Sequence, residues 1–149
     1  TVTHPITSSF NIDPNLSSPF IADEIVIRNQ SRIKVSVFVS GLSNSVSGGK
    51  PALVSPSYYM NWNALTASQT KERIALGLSI LEGAPASDGW YQIARASPVY
   101  GAEITSPVLL GVLYPSGTGT LLLNARYGLA WDESMSASFT LALLFVAYS

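Results

Sequence analysis

Cysteine is absent, histidine occurs once, and charged residues are 11% of the 149 positions. Each shortage excludes something. Without cysteine there is no disulfide framework, no thiolate metal site and no thiol nucleophile. The one imidazole, His4, has no carboxylate nearby in sequence, and structural zinc prefers nitrogen and sulfur ligands. Eight scattered Lys and Arg make no basic face, so nucleic acid is not an expected partner. The longest apolar stretch, residues 139–148, is interrupted by Thr140. It is too short for a membrane-spanning helix, which needs about 20 residues. The chain opens on Thr1 with no basic, apolar and small-residue leader pattern, as a mature secreted protein does after its signal is removed. Secretion and an extracellular location are therefore expected.

What is present points to a folded β protein. Hydrophobic residues are 47% and net charge is −1, which is not the composition of disorder. Polarity comes from 22 serines and nine threonines instead of charges. The dominant period is two. Ile33, Val35, Val37 and Val39 alternate with Lys34, Ser36, Phe38 and Ser40, as a half-buried strand requires. Ile25 and Ile27 share a face just before, and the turn at residues 29–32 suggests a hairpin. A second hairpin is expected from residues 108–114 and 120–127 across Pro115-Ser116-Gly117. Residues 136–148 form the longest strand candidate. Ala137, Phe139, Leu141, Leu143, Phe145 and Ala147 share one face. The other face is also apolar in its second half, so both faces must be covered, by the same domain or by a neighbouring subunit. At the start of the chain Val2, Ile6, Phe10 and Ile12 share a parity, and Pro5 argues for an edge or for pairing on one side only.

The middle reads differently. Residues 62–73 suggest a short helix, with Thr66 as cap and Gln69 at the capping-box position. Strands follow at 74–81 and 90–93. No repeat or linker divides the chain. The expectation is one all-β domain over residues 1–149: a jelly-roll-like β-sandwich of about eight strands with one short helical insertion.

Chemistry is sparse. Gly41-Leu-Ser-Asn-Ser45 lacks the second glycine of a nucleophile elbow, and Gly48-Gly49-Lys50 has no strand–loop–helix frame for a phosphate loop. The adjacent pairs Asp23-Glu24 and Asp132-Glu133 point to opposite faces if they lie in strands, and so converge poorly on one ion. Asp13, Asp88 and Asp132 read as turn residues bonded to local backbone, with a calcium loop as the other reading. No cofactor, metal ligand or catalytic residue is assigned, and a non-enzyme is expected. Trp62, Trp90 and Trp131, with Tyr58, Tyr59 and Tyr91, read as packing aromatics first and as a sugar-stacking platform second.

The charge pattern suggests assembly. Soluble monomers intersperse charges and guard edge strands with Lys, Pro or bulges. Here residues 134–149 carry no charge, and residues 1–12 carry none apart from His4. Such ends suit a subunit sheltered by copies of itself. The expected mechanism is strand addition between subunits. Residues 1–12 are the candidate donor strand, inserting Val2, Ile6 and Phe10, and Leu141, Leu143 and Phe145 are the candidate acceptor. A head-to-tail contact of this kind does not close and gives a filament.

A resemblance joins this reading. The runs NIDPN at 11–15, PFIADEIVIRNQS at 19–31 and IKVSVFVSGL at 33–42 look like β-sandwich modules of Firmicutes surface and matrix proteins. So do IALG at 74–77, GLAWDES at 128–134 and LFV at 144–146. More distantly, the strand–Asn–strand pattern from Ile25 to Val37 is similar to the TasA/camelysin family of secreted matrix proteins. That resemblance implies a jelly roll and, for its fibre-forming members, donor-strand assembly into biofilm filaments. Camelysin-type members are described as metalloproteases; one His and no metal-binding signature do not carry that activity here. The first expectation is thus a homopolymeric structural subunit of a secreted, biofilm-matrix or pilus-like filament. The alternative is a secreted carbohydrate-binding or adhesive module with polysaccharide as partner. A viral capsid or tail jelly roll follows the same composition logic.

Overall fold

The structure, a computed structural model, describes residues 2–46, 48–83, 88–95 and 97–149, and of residues 2–4 the backbone alone. Strands β1 (Val2–Ile12), β2 (Phe20–Ala22), β3 (Ile25–Arg28), β4 (Val35–Asn44) and β5 (Ala52–Leu53) come first. A 3-10 turn at Trp62–Ala64 and helix α1 (Ala67–Thr70) precede β6 (Arg73–Ile80), β7 (Trp90–Ile93) and β8 (Val99–Tyr100). A second 3-10 turn, Gly101–Glu103, leads to β9 (Val108–Leu113), β10 (Thr118–Arg126) and β11 (Met135–Ala147). The first sheet runs β2-β1-β11-β4-β9-β7 and the second β3-β10-β6-β5, with β8 also on β6.

Set aside β2, β5 and β7, which stand at the ends of the sheet orders, and eight strands remain. Their orders, β1-β11-β4-β9 and β3-β10-β6-β8, are those of a jelly roll. The fold is therefore the expected all-β sandwich with one short helix. The helix keeps its sequence signal: Thr66 accepts from the Gln69 backbone N–H at 3.3 Å, and Gln69 Oε1 accepts from the Thr66 N–H at 2.9 Å.

Both expected hairpins are wrong. β3 and β4 lie in different sheets, and so do β9 and β10. Alternation tells which side chains face the core, not which strand lies alongside. In a jelly roll most connections cross from one sheet to the other, and both turns here do so. They also pack together: Asn29 N–H donates to the Gly117 carbonyl at 2.9 Å, and Asn29 Nδ2 to the Tyr114 carbonyl at 3.0 Å.

The core lies between the sheets. The first sheet supplies Phe10, Ile12, Val37, Val39, Leu141 and Leu143, and the second Leu76, Leu78, Leu121 and Leu123, all buried. At one edge Trp90 closes the gap. A Cβ at Gly119 would lie 2.5 Å from its indole, and one at Gly111 2.9 Å, so both glycines give the ring room.

β11, one of several strands without charge, is not an edge. It is paired to β1 on one side and to β4 on the other. Its lack of charge thus has a cause inside the chain, since a central strand is covered by its own sheet.

Candidate assembly site

β1 pairs with β11 over its whole length. Val2 stands opposite Phe145, His4 opposite Leu143, Ile6 opposite Leu141, and Phe10 opposite Ala137. The proposed donor and acceptor residues are therefore brought together within one chain. The side chains of Val2 and His4 lie outside the described residues, as does Thr1. Phe10 is buried against Phe20 and Phe139, with ring centroids at 5.4 and 6.5 Å. Leu141 and Leu143 are buried, whereas Ile6 and Phe145 are only half-buried.

The other side of β1 is mostly bare. β2 pairs only with residues 10–12. The Asp13 N–H donates to the Pro19 carbonyl on the β2 side at 2.9 Å. By alternation, the odd-numbered N–H and C=O groups of β1 point the same way. Among the described residues, those of Thr3, Thr7 and Ser9 face no strand there. Pro5, which has no N–H, falls on this side, so it removes no bond from the β1–β11 ladder. Its pairing is one-sided, as its sequence position suggested.

The inner face of the same half-strand is also incompletely covered. β11 is 13 residues long, but the opposing edge strand β3 has only four. A groove of about 480 Å³ is left between the sheets. Ile6, Ile27, Ile33, Val35, Phe145 and Ala147 line it, with turn residues 28–31 beside them. Ile6 and Phe145 were legible in the alternation of their strands. Ile27, Ile33 and Val35 were legible as core-facing residues but not as groove residues, because the groove forms only when two sheets meet.

The turn between β3 and β4 is held by one side chain. Asn29 is buried, and its Nδ2 donates to the carbonyls of Ile33, Tyr114 and Leu113 at 2.7, 3.0 and 3.4 Å. Its Oδ1 accepts from the Ser31 N–H at 3.0 Å and from the Ser31 hydroxyl at 2.6 Å. Arg28, Arg32 and Lys34 ride on this turn, and among the described residues none of them forms an ion pair. The Lys34 ammonium lies 3.8 Å from the ring centroid of Tyr91, which packs edge-on against Tyr114 and Tyr148.

The other candidates fall elsewhere. Asp132 and Glu133 do converge on one cation: Lys71 Nζ lies 2.7 and 3.2 Å from their carboxylates. They sit in a loop, where the strand rule that separates neighbours does not hold. The hydrogen bond from Lys71 holds the Asp132 carboxyl below the usual carboxylate range, and the same contacts raise the Lys71 amine. Among the described residues, no three His, Cys, Asp or Glu side chains come together as a metal site. The tryptophans turn inward. Trp62 is buried and donates to the Pro56 carbonyl at 2.8 Å; Trp131 is buried and Trp90 packs on the core. Tyr58 stays exposed, with the Arg73 guanidinium 4.9 Å from its ring. No helix among the described residues is long and apolar enough to cross a membrane.

Fold and site together define a jelly-roll sandwich with an unpaired, uncharged strand edge beside an apolar groove. Comparison of the chain with family models, with curated proteins and with solved structures finds no match in any of the three.

Proposed function

We propose that the chain is a structural subunit of a secreted extracellular filament, built by β-strand addition between copies. The observation that carries this reading is that β1, which bears no Lys, Arg, Asp or Glu, is bonded over residues 2–9 to β11 alone. A terminal strand held on one side can pass to a neighbour by re-forming one ladder there, with Pro5 guarding its outer edge. Exchange of β1 between neighbours keeps the β1–β11 register, so that Val2 stands opposite Phe145, His4 opposite Leu143, Ile6 opposite Leu141 and Phe10 opposite Ala137 of the next copy, at little cost. The connection at residues 13–19 is the hinge; exchange opens its backbone bonds from Asp13 to Pro19 and from Leu16 to Asp13, and re-forms the β1–β2 pairs on the next copy. No cofactor or catalytic residue enters this reading, and a biofilm-type matrix is its setting.

Deleting residues 1–9 tests it. The native chain is expected to form filaments in negative-stain microscopy. The truncated chain is expected to form none, and to bind a synthetic peptide of residues 1–12. A truncated chain that polymerises like the native one overturns strand addition.

The adhesive alternative rests on one observation, the exposed cluster of Tyr91, Tyr114 and Tyr148 around Lys34. Binding on a glycan array that is lost in Tyr114→Ala would favour it.

A further inference from the structure

The two ends of the sandwich are chemically unlike. At one end lie the β1–β2, β4–β5, β5–β6 and β10–β11 connections. Each presents an exposed apolar side chain: Leu16, Val46, Met60 and Leu129 respectively. Met60 is 103% exposed, as open as the residue can be. The β10–β11 loop is anchored on both sides of Leu129. Trp131 is buried, Lys71 pairs with Asp132 and Glu133, and Gly128 packs so closely that a Cβ there would lie 2.2 Å from Thr70 Cγ2. An anchored loop lowers the ordering cost of binding.

At the opposite end lie the β3–β4 turn and the apolar groove behind it. This end carries the cations Arg28, Arg32 and Lys34 on a turn that Asn29 locks, with the carboxylates Glu82 and Asp88 apart from it on the β6–β7 connection. The first end carries carboxylates on the same flank of the sandwich: Asp13 on the β1–β2 loop, and Asp132 and Glu133 on the β10–β11 loop, with the cations Lys50 and Arg126 also at this end. Lys71 bridges the last two, yet their side chains remain 59% and 70% exposed. Protruding apolar tips beside carboxylates thus face away from a recessed apolar groove beside cations.

We infer that these two ends are the halves of one interface between copies of this chain. The tips Leu129 and Met60 of one copy seat at the groove end of the next, with the carboxylate loops against the Arg28–Arg32 turn. The halves differ and lie at opposite ends, so the contact is heterologous and propagates without closing. This rests on the filament reading and adds to it the surfaces and the direction of growth. The carboxylate loops set against the Arg28–Arg32 turn give the contact its orientation.

Two double variants test the inference, both at exposed positions. One removes the tips, Leu129→Ser with Met60→Ser; the other reverses the turn, Arg28→Glu with Arg32→Glu. Circular dichroism first establishes that each folds as the native chain does. Sedimentation velocity over a concentration series then reads assembly. Each variant alone is expected to lose at least tenfold in the mass fraction assembled. Mixed in equal amounts, they are expected to give dimers that grow no further, because each copy keeps one working end. Variants that assemble like the native chain overturn the inference and leave the filament reading standing. A symmetric dimer formed by either variant alone also overturns it. Tip and turn variants that fail while the 1–9 deletion still polymerises support end-to-end contact and remove strand addition. A native chain that stays monomeric at every concentration removes both.

Discussion

Asn29 shows how much one polar side chain decides. It is buried among apolar residues at the point where two sheet-crossing turns meet. A buried amide without partners would cost stability; this one has acceptors for its N–H groups and donors for its oxygen. Asn29→Ala leaves the carbonyls of Ile33 and Tyr114 without that donor. We expect a loss of about 1–3 kcal/mol in urea unfolding. Asn29→Asp keeps the acceptor for Ser31 but turns an oxygen toward those carbonyls, and should cost at least as much. A change under about 0.5 kcal/mol for both, the range of an inert surface substitution, would show that the turn does not depend on this residue. In the sequence Asn29 was legible only as a turn former. Its second partner lies 85 positions away, and no local pattern reports that.

The strands were the most legible elements, for a physical reason. Burial of one face imposes alternation, and β4, β6, β10 and β11 all show it. The capping box of α1 was equally plain, because both of its bonds are local. Strand partnership was not legible. Ile25 and Val37 face the same core from opposite sheets, and their alternation would look the same if they were neighbours. For the same reason β11 looked like an exposed charge-free end, although it is central. β1 is different, since half of it has a free side. That difference gives a test at the scale of the strand. Thr7 is exposed, and its backbone groups face the open edge. Thr7→Lys places a charge there without touching the core. The folded chain should keep its stability to within about 0.5 kcal/mol. Exchange of β1 leaves this edge free, so filaments of native length should still form, whereas edge-to-edge pairing, which an edge Lys opposes, should fail. A folded Thr7→Lys chain that gives no filaments would mean that growth uses the open edge and not exchange.

At the scale of the molecule, the jelly roll was legible from many short strands with few helices, while the groove and the two unlike ends were not. They arise where a four-residue β3 faces longer β1 and β11, a mismatch that exists only after the sheets have met. Charge, by contrast, belongs to the whole chain. Nine acidic and eight basic residues leave a net charge of −1, so self-repulsion is weak near neutral pH. Acid changes this. Carboxylates as a class titrate near about pH 4. Their protonation leaves Lys and Arg unbalanced and neutralises the carboxylates that the inferred interface sets against the Arg28–Arg32 turn. Asp132 follows later, because Lys71 holds its folded-state pKa below the ordinary value. Its contribution to stability is therefore present above that ordinary value and is lost only as pH falls through the depressed one. The ion pair is exposed, so that contribution is small; the order of events is what matters. As pH is lowered from about 6 to about 3.5, assembly should fall first, read by light scattering. Native tryptophan fluorescence, which reports the buried Trp62 and Trp131, should persist through that fall. If scattering instead rises steadily down to about pH 3.5 with the fluorescence unchanged, association does not depend on these carboxylates, and apolar contact alone holds the copies together.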